Sequence, residues 1–129
     1  MKRTFDSSKK QNILKDEKNT NQDTTAEHCY KLGVDADCQN NCPLAINYYT
    51  KSIEITPCPV LAYINRGTMY AESGNYKKAI ADFTKAIQLA PNFAAAYYHR
   101  GLINKKLGNK AQANSDFSKA CSLKREYCK

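Results

Sequence analysis

The sequence predicts an all-α protein built as a stack of antiparallel helix pairs. Three observations carry this expectation. Residues 41–58 (NCPLAINYYTKSIEITPC), 75–92 (NYKKAIADFTKAIQLAPN) and 109–126 (NKAQANSDFSKACSLKRE) superpose without gaps at a 34-residue period. Each segment carries a small residue, an aromatic and a second small residue: Ala45, Tyr49 and Ser52; Ala79, Phe83 and Ala86; Ala113, Phe117 and Ala120. Gly33, Gly67 and Gly101 keep the same period upstream, and Pro57 and Pro91 close the first two segments, with Arg125 in the third place. One isolated helix needs no such rule. Helices packed on similar helices do, because small residues let backbones approach and one large side chain fills the gap between them.

The elements follow in order. Beyond Met1, residues 1–25 hold only Phe5, Ile13 and Leu14 as large apolar side chains, too few to offset ordering, so a disordered or loosely held polar tail is expected. It has no signal-peptide pattern. The helical domain then covers 26–129, in repeats 26–59, 60–93 and 94–127. First helices are expected near 26–39, 60–73 and 94–107, and second helices near 43–55, 76–89 and 110–125. Gly74 and Gly108 fall where a helix end favours a left-handed residue, and Asn40 fills that role in the first repeat. Pro43 suits a first helical turn, where its missing N–H is not needed. Gly67 and Ala79 permit close approach, with Phe83 filling the space between.

A 34-residue period carrying Gly, Ala, an aromatic and Pro resembles the tetratricopeptide repeat, over roughly four-fifths of the chain. The family's tryptophan gives way to Cys29, Tyr63 and Tyr97. Its leucine before the glycine survives only as Leu32, with Arg66 and Arg100 in the other repeats. The resemblance implies a right-handed superhelical α-solenoid whose first helices line a concave groove. Carried over residue by residue, that groove holds Tyr30 and Val34 from the first repeat, Leu61, Ile64, Asn65 and Thr68 from the second, and Tyr98, His99, Leu102 and Lys105 from the third. Glu27, Lys31, Glu72 and Ala95 belong to the same wall. Tyr30, Val34, Ile64, Tyr98 and Leu102 make an apolar stripe for a surface facing water. Asn65 is its natural polar anchor, since a carboxamide both donates and accepts. Some family members hold a chaperone's C-terminal carboxylate with a Lys/Asn/Arg clamp. The matching positions here are Tyr30, Val34, Asn65, Ala95 and His99. Only Asn65 agrees, so a carboxylate would lack its cations and this activity is not expected.

No enzyme is indicated. His28 and His99 are far apart in the repeat register, no Gly-rich phosphate loop occurs, and no nucleophile has a base at a recognisable spacing. No cofactor is called for. No apolar run reaches membrane-spanning length. The net charge of +8 is uneven: +2 in residues 1–25, −2 in the first repeat, +2 in the second, and +6 from Ala94 to Lys129. A solvated basic surface explains this better than nucleic-acid binding, and it favours an acidic partner.

Six cysteines remain: Cys29, Cys38, Cys42, Cys58, Cys121 and Cys128. An antiparallel hairpin brings Cys38 towards Cys42 across the turn and Cys58 back towards Cys29, so those two bridges are expected. In an unbroken helix the Cα atoms of Cys121 and Cys128 would stand roughly 10 Å apart, too far to bridge. A bond there requires the last helix to end near Lys124 and curl back. Cysteine-rich bacterial repeat proteins related to this family use similar bridges within repeats. The alternatives are six reduced thiols, with Cys29 as a buried apolar substitute for an aromatic, or a zinc site of His28, Cys29, Cys38 and Cys42, which would ask opposite helix ends to meet. The expected bridges point to an exported protein, periplasmic or secreted; the alternative, with reduced thiols, is a cytoplasmic one. The functional expectation is a module that binds a partner's peptide segment in the concave groove. The alternative is a structural repeat protein whose copies associate through their ends.

Overall fold

The computed structural model describes residues 25–128. They form α1 Ala26–Cys38, α2 Cys42–Ile55, α3 Val60–Glu72, α4 Tyr76–Leu89, α5 Ala94–Lys106 and α6 Lys110–Leu123, followed by a 3-10 turn, Arg125–Tyr127. The polar tail expected over 1–25 lies outside the described residues except for Thr25. That residue is the α1 N-cap, its Oγ1 accepting from the His28 N–H at 3.2 Å.

The three hairpin turns are built alike. Asn40, Gly74 and Gly108 take φ of 60°, 84° and 85°, a conformation that costs glycine nothing and asparagine little. The next residue's N–H then reaches back five positions, from Asn41 to Ala36 O and from Asn75 to Tyr70 O at 2.8 Å, and from Asn109 to Asn104 O at 2.9 Å. These bonds satisfy carbonyls that the helix ends leave open. Asn41 and Asn75 also cap the helices they precede, accepting from the N–H groups of Leu44 and Lys78.

Each helix packs on its neighbours in sequence, and α3 also touches α5, the nearly one-dimensional contact pattern of a helical repeat stack. The glycines at the period of 34 make room for rings. A Cβ on Gly33 would stand 2.6 Å from Tyr49 Cε1, one on Gly67 2.9 Å from Phe83 Cε1, and one on Gly101 2.8 Å from Phe117 Cε1. Ala45, Ala79 and Ala113 are buried on the facing helices. Phe83 joins Ile64, Ala79, Ala86, Ala96 and Ile103 in one core cluster. Tyr49 joins Ala36, Ala45 and Met69 in another.

Successive pairs are also joined by a polar staple. Arg66 donates from Nε and Nη2 to the two carboxylate oxygens of Asp82, both at 2.8 Å, and from Nη1 to Thr50 Oγ1 of the preceding pair at 3.0 Å. Arg100 repeats this with Asp116 at 2.9 and 2.8 Å and with Thr84 at 3.2 Å. Asn104 and Gln112 donate to the remaining acceptor capacity of Asp116. The Arg66 guanidinium lies over the rings of Tyr63 and Tyr70, and that of Arg100 over Tyr97. The Leu-to-Arg departures at positions 66 and 100 are therefore matched by buried aspartates sixteen residues later.

The last helix stops earlier than the expected 110–125. Lys124 is extended, with φ −149° and ψ 122°, and the chain turns back so that Cys128 bonds Cys121, their Cα atoms 4.5 Å apart.

Candidate functional site

The first helices of the pairs carry the expected groove residues, and the structure distributes them over three depressions. Tyr30 and Leu61, with Glu27, Ser52, Thr56 and Cys58, border a cavity of about 400 Å³ between α1 and α3. Thr68, His99 and Leu102, with Glu72, Tyr76, Phe83 and Lys106, border one of about 420 Å³ between α3 and α5. Tyr98, Leu102 and Lys105 border a third of about 430 Å³ at the end of the stack, with Phe117, Ser118, Cys121 and Tyr127. Leu102 joins the second and third.

Two expected residues have other surroundings. Ile64 is only 6% exposed and belongs to the core cluster around Phe83. Its position on α3 turns it towards α4 and α5, where apolar area is covered by packing. Val34 is partly buried against the Tyr49 cluster. Leu61, by contrast, is 52% exposed.

Asn65 links α3 to α1, its Nδ2 donating to Tyr30 Oη at 2.8 Å. Behind this pair Tyr49 packs tilted against the Tyr30 ring, the centroids 5.7 Å apart. The Tyr49 hydroxyl is fully buried and has no hydrogen-bond partner among the described residues. Burial, with the nearby Asp37 charge, pushes its pKa up to about 12. His99 stacks on Phe83 at 5.7 Å and meets Tyr98 edge-on at 5.8 Å. Burial lowers its pKa below the ordinary 6.5, so it presents a neutral imidazole at neutral pH.

The cysteine expectations need correction. Cys121–Cys128 is formed, but Cys29, Cys38, Cys42 and Cys58 are free thiols. Cys29 faces inward and is buried, at the position where Tyr63 and Tyr97 stand in the other pairs, whereas Cys58 is exposed on the α2–α3 connection. Cys42 turns its Sγ towards Glu72 of the next pair, donating to Oε1 at 3.9 Å, and so away from Cys38. The hairpin brings helix ends together without aiming these side chains at one another. Among the described residues no three His, Cys, Asp or Glu side chains converge to hold a metal, and no helix is long and apolar enough to cross a membrane.

Sequence reasoning missed Lys106, Tyr76 and Tyr127 as lining residues. Lys106 lies one step from the expected Lys105, Tyr76 comes from the start of a second helix, and Tyr127 arrives only because the chain turns back.

A repeated hairpin, a periodic Gly–aromatic contact and an open face on alternate helices define a helical-repeat scaffold of the kind that binds other proteins. The family profiles agree: segments 48–81 and 94–127 match the tetratricopeptide repeat and 67–108 matches the TPR repeat. The chain is a tetratricopeptide repeat protein. Similar solved structures include MamA, with a TM-score of 0.76 and 29% identity over 80% of this chain and 60% of that one. The chain thus spans less than two thirds of MamA. The Arabidopsis OM64 TPR domain has a TM-score of 0.74 and 27% identity, over 78% of this chain and 83% of that one. The second TPR of Spaghetti (RPAP3), bound to the HSP90 peptide SRMEEVD, has a TM-score of 0.75 and 27% identity, over 84% and 99%. No curated protein sequence matches the chain.

Proposed function

We propose that this protein binds an extended peptide segment of a partner along the exposed sides of α1, α3 and α5. The observation that carries this reading is the pair of depressions of about 400 and 420 Å³ that straddle successive first helices. Tyr30, which borders the first of them, accepts a hydrogen bond from Asn65. Leu61 and Leu102 offer apolar contact, and Asn65 and Thr68 offer backbone hydrogen bonding. The Spaghetti domain's HSP90 peptide supports a peptide as the ligand class. A chaperone-type carboxylate clamp is not part of the proposal, because Tyr30, Val34, Ala95 and His99 supply none of its cations. An acidic partner suits the basic third pair.

The test is a peptide-display selection on the full chain, followed by NMR mapping of the selected peptide. Shifts should centre on Tyr30, Leu61, Asn65, Thr68, His99 and Leu102, and Asn65→Ala should weaken binding by roughly ten-fold, the loss of one anchoring hydrogen bond. Shifts confined to α2, α4 and α6 would overturn the reading.

A further inference from the structure

The disulfide borders the third depression, at the end of the stack, which adjoins the second depression through Leu102. In the 34-residue register Cys121 and Cys128 stand where Ile53 and Val60, and then Ile87 and Ala94, stand in the earlier pairs. Val60 and Ile87 pack against the main core cluster. Tyr127 falls at the position of Phe93, which packs against the same cluster. Residues 121–128 thus occupy the register of the junction to a following helix pair, with a covalent bond between two of its positions. The Tyr127 ring stacks on Tyr98, centroids 4.8 Å apart and planes at 28°, and Tyr98 in turn meets Phe117 at 5.8 Å.

Little besides the bond holds this segment down. The Tyr127 and Cys128 N–H groups bond to Lys124 and Arg125 carbonyls, within the turn itself. The Lys124–Glu126 ion pair at 3.2 Å is exposed and also internal to the segment. One aromatic stack is worth less than the backbone entropy of fixing four residues, so the disulfide is what keeps Tyr127 seated.

We propose that residues 124–128 are a redox-removable plug on the Tyr98 ring, at the border of the cavity it shares with Leu102, Lys105 and Phe117, and that the uncovered ring accepts an aromatic side chain flanked by carboxylates on a partner chain. The resident plug sets the pattern, since Tyr127 follows Glu126 and borders the same cavity as Lys105. The surrounding third pair is basic, which favours carboxylates next to the ring. Opening is thiol–disulfide exchange with a dithiol reductant. A thiolate of the reductant attacks the Cys121–Cys128 bond, a mixed disulfide forms, and the second reductant thiol resolves it. Two electrons and two protons pass to Cys121 and Cys128, which become thiols, and the reductant leaves as a disulfide.

The protein has no Trp, so the emission of an acetyl-Glu-Glu-Trp-Glu-Glu-amide probe reports the probe alone. The probe should bind the dithiothreitol-reduced protein and the Cys121→Ser/Cys128→Ser variant about ten-fold or more tighter than the oxidised protein. Oxidised Tyr127→Ala should resemble the open forms, and Tyr98→Ala should lose binding in all of them. Circular dichroism verifies that each variant is folded, and the reduced wild type serves if the double variant is not. Equal affinity in oxidised and reduced protein would overturn the plug. Absence of binding in every open form, or equal binding of an acetyl-Lys-Lys-Trp-Lys-Lys-amide probe, would overturn the assigned ligand.

Discussion

Arg66 and Asp82 meet side by side, two N–H groups on two carboxylate oxygens at 2.8 Å, with the aspartate side chain 7% exposed. The bonding to Asp82 raises the Arg66 pKa despite burial. Truncation should therefore be costly, because it leaves a guanidinium tucked between Tyr63 and Tyr70 without its counter-charge. Asp82→Ala is expected to destabilise by about 2–4 kcal/mol. The first repeat offers an internal control, with Leu32 and Tyr48 at the same register. Arg66→Leu combined with Asp82→Tyr should recover at least half of the loss in a urea titration. If the double variant is weaker than Asp82→Ala alone, the pair does more than fill its place.

Gly67 faces the Phe83 ring, and an added Cβ would lie 2.9 Å from Cε1 and 3.2 Å from Asp82 Cβ. Alanine is the better helix former by about 1 kcal/mol, but the ring is held in the core and the clash should win. Gly67→Ala is expected to cost a net of about 1–3 kcal/mol. A thermal melt at or above the wild-type temperature would refute the close contact.

Tyr49→Phe should stabilise the protein by about 1 kcal/mol, because it removes a buried hydroxyl that has no partner. Phe83 and Phe117 already occupy the equivalent places. The pH dependence has a definite sign. With a folded pKa of about 12 against an ordinary 10.0, the unfolded chain loses the Tyr49 proton first, so the protein keeps its full stability below pH 10.0 and loses part of it as pH rises towards 12. The variant should be less sensitive to alkali over that window, as read by urea titrations at several pH values.

His99 works in the opposite direction. Its folded pKa lies below the ordinary 6.5 because burial penalises the imidazolium. Its contribution is present above pH 6.5 and is lost as pH falls through the lower folded value, since the unfolded chain takes up the proton first. Melting temperature should drop as pH falls below the ordinary 6.5, and His99→Phe should flatten that drop. An unchanged slope in the variant would assign the acid sensitivity to other groups.

By itself the sequence determined the architecture. A period of 34 without gaps, with Gly33, Gly67 and Gly101 opposite Tyr49, Phe83 and Phe117, specifies hairpins because each ring needs a missing side chain to face. Asn40, Gly74 and Gly108 likewise announced the left-handed turns that now carry φ between 60° and 85°. These are local or strictly periodic constraints, and a one-dimensional pattern records them. Side-chain direction is different. Ile64 and Leu61 both stand on α3 and were both expected in the groove, yet one is buried at 6% and the other 52% exposed, because packing from α4 and α5 covers one side of that helix. The partners of Arg66 and Arg100 were written sixteen residues away, but only the crossing of two helices made them ion pairs. The cysteines make the same point. The hairpin fixed which helix ends meet, whereas the tertiary structure decided which thiols point at each other. It turned Cys42 towards Glu72, buried Cys29, and brought Cys128 back over Cys121. Periodicity constrains backbones, and a bond between side chains depends on the last rotation about each helix axis, which packing sets.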